Sequence, residues 1–113
     1  MTKKIAVPVN EDNVLDAHFG HCKYFSITDV EEDDIRSEEI VQPPPHEPDV
    51  LPQWLAKIGV TDVLAGGMGR RAIQHFNNHR VNVFVGAPTM AASKLVAGFL
   101  NNSIHFSANY CDH

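Results

Sequence analysis

The sequence predicts a single α/β domain built on a mixed five-stranded sheet with three helices. Two features predict this class. Residues 3–42 hold segments with the polar and apolar alternation of strands, whereas from residue 49 onward apolar residues at helical spacing alternate with short apolar strands. Because a chain of 113 residues has room for one hydrophobic core, residues 1–113 are expected to form one domain.

The first three strands are predicted at residues 3–9, 24–30 and 35–42. Ile5, Val7 and Val9 share one face of the first strand. An acidic turn at residues 31–34 joins the second and third strands as a hairpin, which makes them antiparallel neighbours. The proline-rich residues 43–48 exclude a helix and are expected to form an extended crossover.

Three helices and two further strands fill the remainder. Asp49 is placed to cap the first of these helices and Gly59 to end it, while Thr89 is placed to cap the last. The predicted elements are a helix from residue 49, a strand at 60–65, a helix at 70–79, a strand at 81–85 and a helix after residue 89, followed by a short strand or irregular tail at 101–113. This order predicts the strand arrangement 3-2-1-4-5, covered by helices on both faces.

Composition limits the function classes. The net charge of −5 disfavours nonspecific nucleic-acid binding, which needs a basic surface. The first ten residues are too short an apolar run, broken by Pro8, to be a signal peptide or membrane span, so a cytoplasmic protein is expected. Its two cysteines are expected to be reduced thiols, with no C-x-x-C pair that would indicate a redox dithiol.

Two short segments carry histidine and cysteine together. His18, His21 and Cys22 lie in the loop before the second strand, and Cys111 and His113 lie beyond the last helix. Such donors suit zinc, copper or an iron–sulfur centre rather than magnesium or calcium. The candidate metal ligands are therefore His18, Cys22, Cys111 and His113. Because adjacent residues of an extended chain point to opposite sides, His21 and Cys22 are not both expected to bind one metal together with His18.

A glycine-rich turn forms a second candidate site. It consists of Gly66, Gly67, Met68 and Gly69, with Arg70 and Arg71 following at a helix start. Free backbone N–H groups and the positive helix end favour an anion there. The spacing is not that of a dinucleotide fingerprint or a P-loop. Since the first and fourth strands should be parallel neighbours, this turn and the first loop are expected to border one crevice.

The sequence also resembles a known family. Residues 5–10, residues 16–25 around the His-Phe-Gly element, and the glycine-rich turn before a helix are similar to the dinitrogenase iron-molybdenum cofactor biosynthesis family. That family includes NifX-like cofactor carriers and the molybdenum–copper orange protein of sulfate reducers. The resemblance spans nearly the whole chain, and it implies a ribonuclease H-like fold.

The resemblance implies a small binder or carrier of a metal–sulfur cluster, of the iron–molybdenum or molybdenum–copper type, rather than an enzyme. It would act in cofactor assembly, storage or delivery, with a protein donor or acceptor of the cofactor as a further partner. The family pattern implies that His18 faces the cluster. The residues expected around the cluster are His18, Phe19, Gly20, His21, Gly66, Gly67, Met68, Gly69, Arg70 and Arg71.

Two other functions stay open at this point. A single zinc or copper ion could be held by His18, by His21 or Cys22, and by Cys111 and His113. A ribonuclease H-type enzyme would need several carboxylates to hold two magnesium ions. The first strand has no acidic residue, and Asp62 lies at the amino end of its strand, so this enzyme class is disfavoured. The proline-rich segment, with His46, and the tail are candidate covers of the crevice.

Overall fold

The computed structural model describes residues 2–17, 19–45 and 49–111. Within these ranges the chain alternates strands and helices in the predicted order, with a short 3-10 helix at Phe19–His21. The strands are β1 (Thr2–Val9), β2 (Tyr24–Glu31), β3 (Asp34–Val41), β4 (Asp62–Leu64), β5 (Asn82–Val85) and β6 (Ala108–Tyr110), and the helices are α1 (Val50–Lys57), α2 (Arg70–Asn78) and α3 (Ala92–Leu100).

The sheet combines an antiparallel hairpin with parallel strands. Its order is β3-β2-β1-β4-β5-β6. β1 pairs antiparallel with β2 and parallel with β4, and β4 pairs parallel with β5. The predicted order of the first five strands is therefore confirmed, and the carboxyl ends of β1 and β4 lie side by side.

The prediction of five strands is wrong, because the described part of the chain forms a sixth. β6 pairs antiparallel with β5, placing Tyr110 opposite Val83, and the Asn77 side-chain amide donates a hydrogen bond to the Tyr110 carbonyl over 2.9 Å. Three residues are too few to show an alternation pattern in sequence, so this strand depends on pairing with its neighbour. The ribonuclease H-like assignment stays a prediction.

Helices cover both faces of the sheet, as predicted. α1 and α2 pack on one face around Phe25, Leu55 and Phe76, whereas α3 packs on the other through residues that include Leu95 and Val96. In the part of the chain that the structure describes, no helix is both long enough and apolar enough to cross a bilayer.

Two predicted helix caps are wrong. The Asp49 side chain makes no capping hydrogen bond to α1, and its own backbone is left-handed with φ 68°. α3 begins three residues beyond Thr89, at Ala92, whose N–H donates to the Asn13 carbonyl over 3.0 Å. The first loop therefore supplies the acceptor that a local cap would have supplied. Gly59 does end α1 with the expected positive φ, 98°.

Candidate functional site

The first loop and the glycine-rich turn meet at the carboxyl ends of β1 and β4. A β-carbon placed on Gly66 would lie 3.8 Å from the Cα of Ala17 and 3.6 Å from a methyl of Leu15. These are ordinary van der Waals distances, so the turn and the first loop lie side by side at Gly66. His18 follows directly after Ala17 and lies outside the described residues, so the geometry locates its neighbours only.

Phe19 anchors the first loop to the core. Its side chain is 8% exposed, and its ring packs edge-on against Phe25 and Phe76 at centroid distances of 5.7 and 5.5 Å. Because Phe76 belongs to α2, this one ring connects the loop to the helix that follows the glycine-rich turn. Phe19 therefore positions the site by packing, and its ring is not exposed to a ligand.

Gly20, His21 and Cys22 line a cleft of about 460 Å³ that the proline-rich segment borders through Pro43 and Pro44. His21 is exposed. Cys22 is buried at 8% exposure, and burial, with a smaller contribution from the charge of Asp16, raises the pKa of its thiol to about 12. At neutral pH and without a bound metal this thiol is protonated, so a metal would have to displace its proton on binding.

The glycine-rich turn is open on its outer side. A β-carbon on Gly67 or Gly69 would meet no atom within 4 Å. Gly69 precedes α2 with an extended backbone, and no side chain caps the helix, so its first N–H groups point toward this space. Arg70 is exposed at the same place, whereas Met68 packs partly against the core.

Asp49, the residue before α1, contacts two side chains of α2, and these contacts were not predicted from the sequence. The Asp49 carboxylate lies 2.8 Å from His75 Nε2 and 3.6 Å from the Arg71 guanidinium. The sequence feature that could have predicted them is the spacing of Arg71 and His75, which lie four residues apart on one side of a helix. Arg71 therefore has a carboxylate beside it, whereas Arg70 has no ion-pair partner among the described residues.

Cys111 lies at the other end of the sheet. The pairing of Val83 with Tyr110 brings the next residue, Cys111, to the level of Asn82, where β5 begins. The glycine-rich turn is at the level of Gly86, whose N–H donates to the Gly66 carbonyl. Four residues of strand, about 13 Å, separate these levels. The structure therefore does not bring Cys111 to the crevice, and His113 lies outside the described residues.

The surroundings of Cys111 are anionic. Burial and the charge of Asp62 raise the pKa of its thiol. Asp62 is buried and accepts hydrogen bonds from the Thr61 hydroxyl at 2.7 Å and from the Asn82 amide at 3.0 Å. Within residues 2–17, 19–45 and 49–111, no three His, Cys, Asp or Glu side chains are grouped to hold a metal ion.

Comparisons with known proteins agree with this architecture. The family model described as dinitrogenase iron-molybdenum cofactor matches residues 1–102. The crystal structure of PH0822 is similar with a TM-score of 0.82 and 31% identity, covering 92% of this chain and 94% of that one. The apo form of the orange protein from Desulfovibrio gigas is similar with a TM-score of 0.78 and 23% identity, covering 94% and 93%. An uncharacterized protein of Methanocaldococcus jannaschii, MJ0580, is 26% identical over 89% of this chain and 88% of its own.

Proposed function

Because the chain belongs to the dinitrogenase iron-molybdenum cofactor family, we propose that it binds and carries a metal–sulfur cluster, of the iron–molybdenum or molybdenum–copper type, as cargo. The cluster would sit in the crevice between the first loop and the turn of residues 66–69, in a cytoplasmic setting and without catalytic turnover. The single observation that carries this proposal is the proximity of Gly66 to Ala17, which places the glycine-rich turn beside the first loop.

The charge and shape of the crevice support an anionic cargo. Metal–sulfur clusters bearing sulfide are anions, and the turn offers uncapped N–H groups at the start of α2 together with the exposed Arg70. Gly67 and Gly69 leave room for a bulky inorganic ligand to approach the backbone. The crevice can therefore bind a cluster mainly through hydrogen bonds and charge.

Each loop residue has a distinct role in this proposal. His18 and His21 supply imidazole nitrogens, Gly20 allows close approach, and Phe19 holds the loop on the core. Cys22 packs within the core, and with a pKa of about 12 its thiol is protonated in the metal-free protein. The contacts to the cluster come from the other loop residues. These separate roles explain why the first loop combines ligand-type residues with the buried ring of Phe19.

The single-metal alternative receives no support from the described geometry. It draws on both ends of the chain, but Cys111 lies at the opposite end of the sheet from Cys22. The described residues also group no three His, Cys, Asp or Glu side chains to hold a metal ion. The enzyme alternative would need several carboxylates on the sheet. In β1 and β4, the described strands that border the crevice, the one carboxylate is Asp62, at the amino end of β4 and away from the crevice.

The first test is metal and acid-labile sulfide analysis of the protein isolated without oxygen from its own cell. Iron or molybdenum together with sulfide is expected, whereas stoichiometric zinc without sulfide would contradict the proposal.

The second test is an anaerobic titration with tetrathiomolybdate and copper(I), followed by visible absorption. We expect His18→Ala and Arg70→Gln each to weaken binding about tenfold, because each removes a charge-assisted or donor contact. His79→Ala and Arg36→Gln are the matched controls, since His79 lies at the exposed end of α2 and Arg36 on β3. Equal affinity of all four variants and the wild type would rule out this crevice.

A further inference from the structure

A groove of about 860 Å³ runs along the outer side of α2 as far as β6. It begins at the glycine-rich turn and continues past the end of the helix. The described residues that line it are Met68, Arg70, Ile73, Gln74, Asn77, Asn78, Arg80 and Tyr110, and none of them is acidic. The groove therefore combines apolar side chains, amides and two cations, the composition typical of a protein interface rather than of bare surface.

The arginines of this groove differ from the others in the chain. Arg36 lies 3.9 Å from Glu31, and Arg71 lies 3.6 Å from Asp49. In the described ranges, neither Arg70 nor Arg80 forms an ion pair, although the chain carries a net charge of −5. Two exposed cations thus remain without counter-charges on the same surface of an acidic protein, which favours an anionic partner there.

The spacing of the two arginines indicates the shape of that partner. Ten residues separate Arg70 from Arg80 along α2 and its end, which corresponds to about 15 Å at the helical rise. Two separate anionic groups would let both arginines pair without their side chains having to converge. An extended peptide advances about 3.3 Å per residue, so two of its carboxylates four to five residues apart would match the distance. β6 is one of the two edge strands of the sheet and borders the groove through Tyr110, which is 39% exposed.

We propose that this groove docks an extended acidic segment of a partner protein. Two carboxylates of the segment pair with Arg70 and Arg80, and an apolar side chain between them packs against Met68 and Tyr110. The docking surface shares Met68 and Arg70 with the crevice, so a bound partner lies beside the carried cluster. In that respect the inference rests on the proposed function.

The test uses a blocked, fluorescein-labelled peptide, Glu-Ser-Leu-Thr-Glu, and its Gln-Ser-Leu-Thr-Gln counterpart in anisotropy titrations at low salt. The glutamate peptide is expected to bind about fivefold or more tightly than the glutamine peptide, and added salt should reduce this difference. Arg80→Gln should weaken binding of the glutamate peptide by about three- to tenfold. Arg36→Gln, the control on β3, should leave it unchanged. Amide resonances of Gln74 and Asn78 should shift on binding.

Equal binding of the two peptides, or equal loss in Arg36→Gln and Arg80→Gln, would overturn the docking proposal. Arg80 lies outside the crevice, so Arg80→Gln should still bind tetrathiomolybdate and copper(I) as the wild type does. If the wild type bound the cluster but did not prefer the glutamate peptide, docking would be refuted and the proposed function would stand. If the wild type preferred the glutamate peptide but did not bind the cluster, the proposed function would be refuted and docking would stand. Sedimentation of the unliganded protein provides one more outcome: a dimer abolished by Arg80→Gln would identify a second copy as the occupant and contradict an acidic partner protein.

Discussion

The two regions that contain cysteine are similar in sequence but differ in burial and lie at opposite ends of the sheet. Cys22 lies at the carboxyl ends of β1 and β4, here called the carboxyl-end region, and the opposite end of the sheet is called the amino-end region. Its side chain is buried with Phe25 in the core under α1 and α2. Cys111 lies in the amino-end region, exposed after the short edge strand β6. Each has a histidine nearby in the chain, yet only the first region is built on core packing and faces the glycine-rich turn. Residue types near one another in sequence therefore do not define a site until the strand register places them.

Removing the aromatic anchor of the carboxyl-end region should have the largest effect. Phe19→Ala deletes a buried ring that contacts Phe25 and Phe76, so we expect a loss of about 3–5 kcal/mol in the free energy of unfolding. Tyr110→Ala, at the amino-end region, should cost about 1 kcal/mol or less because its side chain is exposed. Urea denaturation measures both, and similar losses would remove the distinction between the regions.

Thiol reactivity should separate the two cysteines next. Cys111 is exposed, whereas Cys22 is buried with a pKa of about 12. At pH 8 we expect iodoacetamide to modify Cys111 about 100-fold or more faster than Cys22, because alkylation needs an accessible thiolate. Mass spectrometry of the folded protein gives both rates, and the unfolded protein serves as the control in which they converge. Comparable rates in the folded protein would show that Cys22 is accessible.

The stability of the protein should depend on pH through Cys22. The pKa of this thiol is raised from an ordinary value of 9.0 to about 12 in the folded state, so the unfolded chain loses the proton first. The stabilising contribution is complete below about pH 9 and is lost as the pH rises from 9 toward 12, with a slope of up to about 1.4 kcal/mol per pH unit.

The matched measurement is the free energy of unfolding of wild type and Cys22→Ala across this range. Because lysines and tyrosines titrate in both proteins, the difference between the two curves isolates Cys22. The wild-type advantage should shrink as the pH rises, and a constant difference would contradict the raised pKa.

Truncation after Asn109 should have the smallest effect. It removes Tyr110, which pairs with Val83 and accepts a hydrogen bond from Asn77, at an expected cost of about 1 kcal/mol. Because Cys111 lies at the amino-end region, cluster affinity should stay within about twofold of the wild type. Faster oxidation or weaker retention of the cluster in the truncated protein would instead support the lid role that the sequence suggested for the tail.

Most of the fold could be predicted because its signals are local. The alternation around Ile5, Val7 and Val9, the helical spacing in α3 and the terminator Gly59 depend on the chain near each residue. The capping residues could not be predicted in the same way. The N–H of Ala92 is satisfied by Asn13 from the first loop, and the Asp49 carboxylate pairs with His75, so both depend on distant segments.

For the candidate site, too, some features could be predicted from the sequence and others depend on contacts between distant segments. The sequence identified the turn of residues 66–69 and the segment around Phe19 as neighbours, and the contact of Gly66 with Ala17 confirms that the two loops meet. It could not show that Arg71 pairs with Asp49 while Arg70 has no ion-pair partner among the described residues, because ion pairing depends on how α1 packs against α2.

The sequence by itself determined the α/β class, the order of the first five strands, the acidic character and the resemblance to a cofactor family, since these follow from composition, periodicity and local motifs. Only the tertiary structure decided the sixth strand, the burial of Cys22 and the separation of Cys111 from the crevice. The physical reason is that burial and strand pairing are created by contacts between segments far apart in the chain, and such contacts leave little trace in the local pattern of residues.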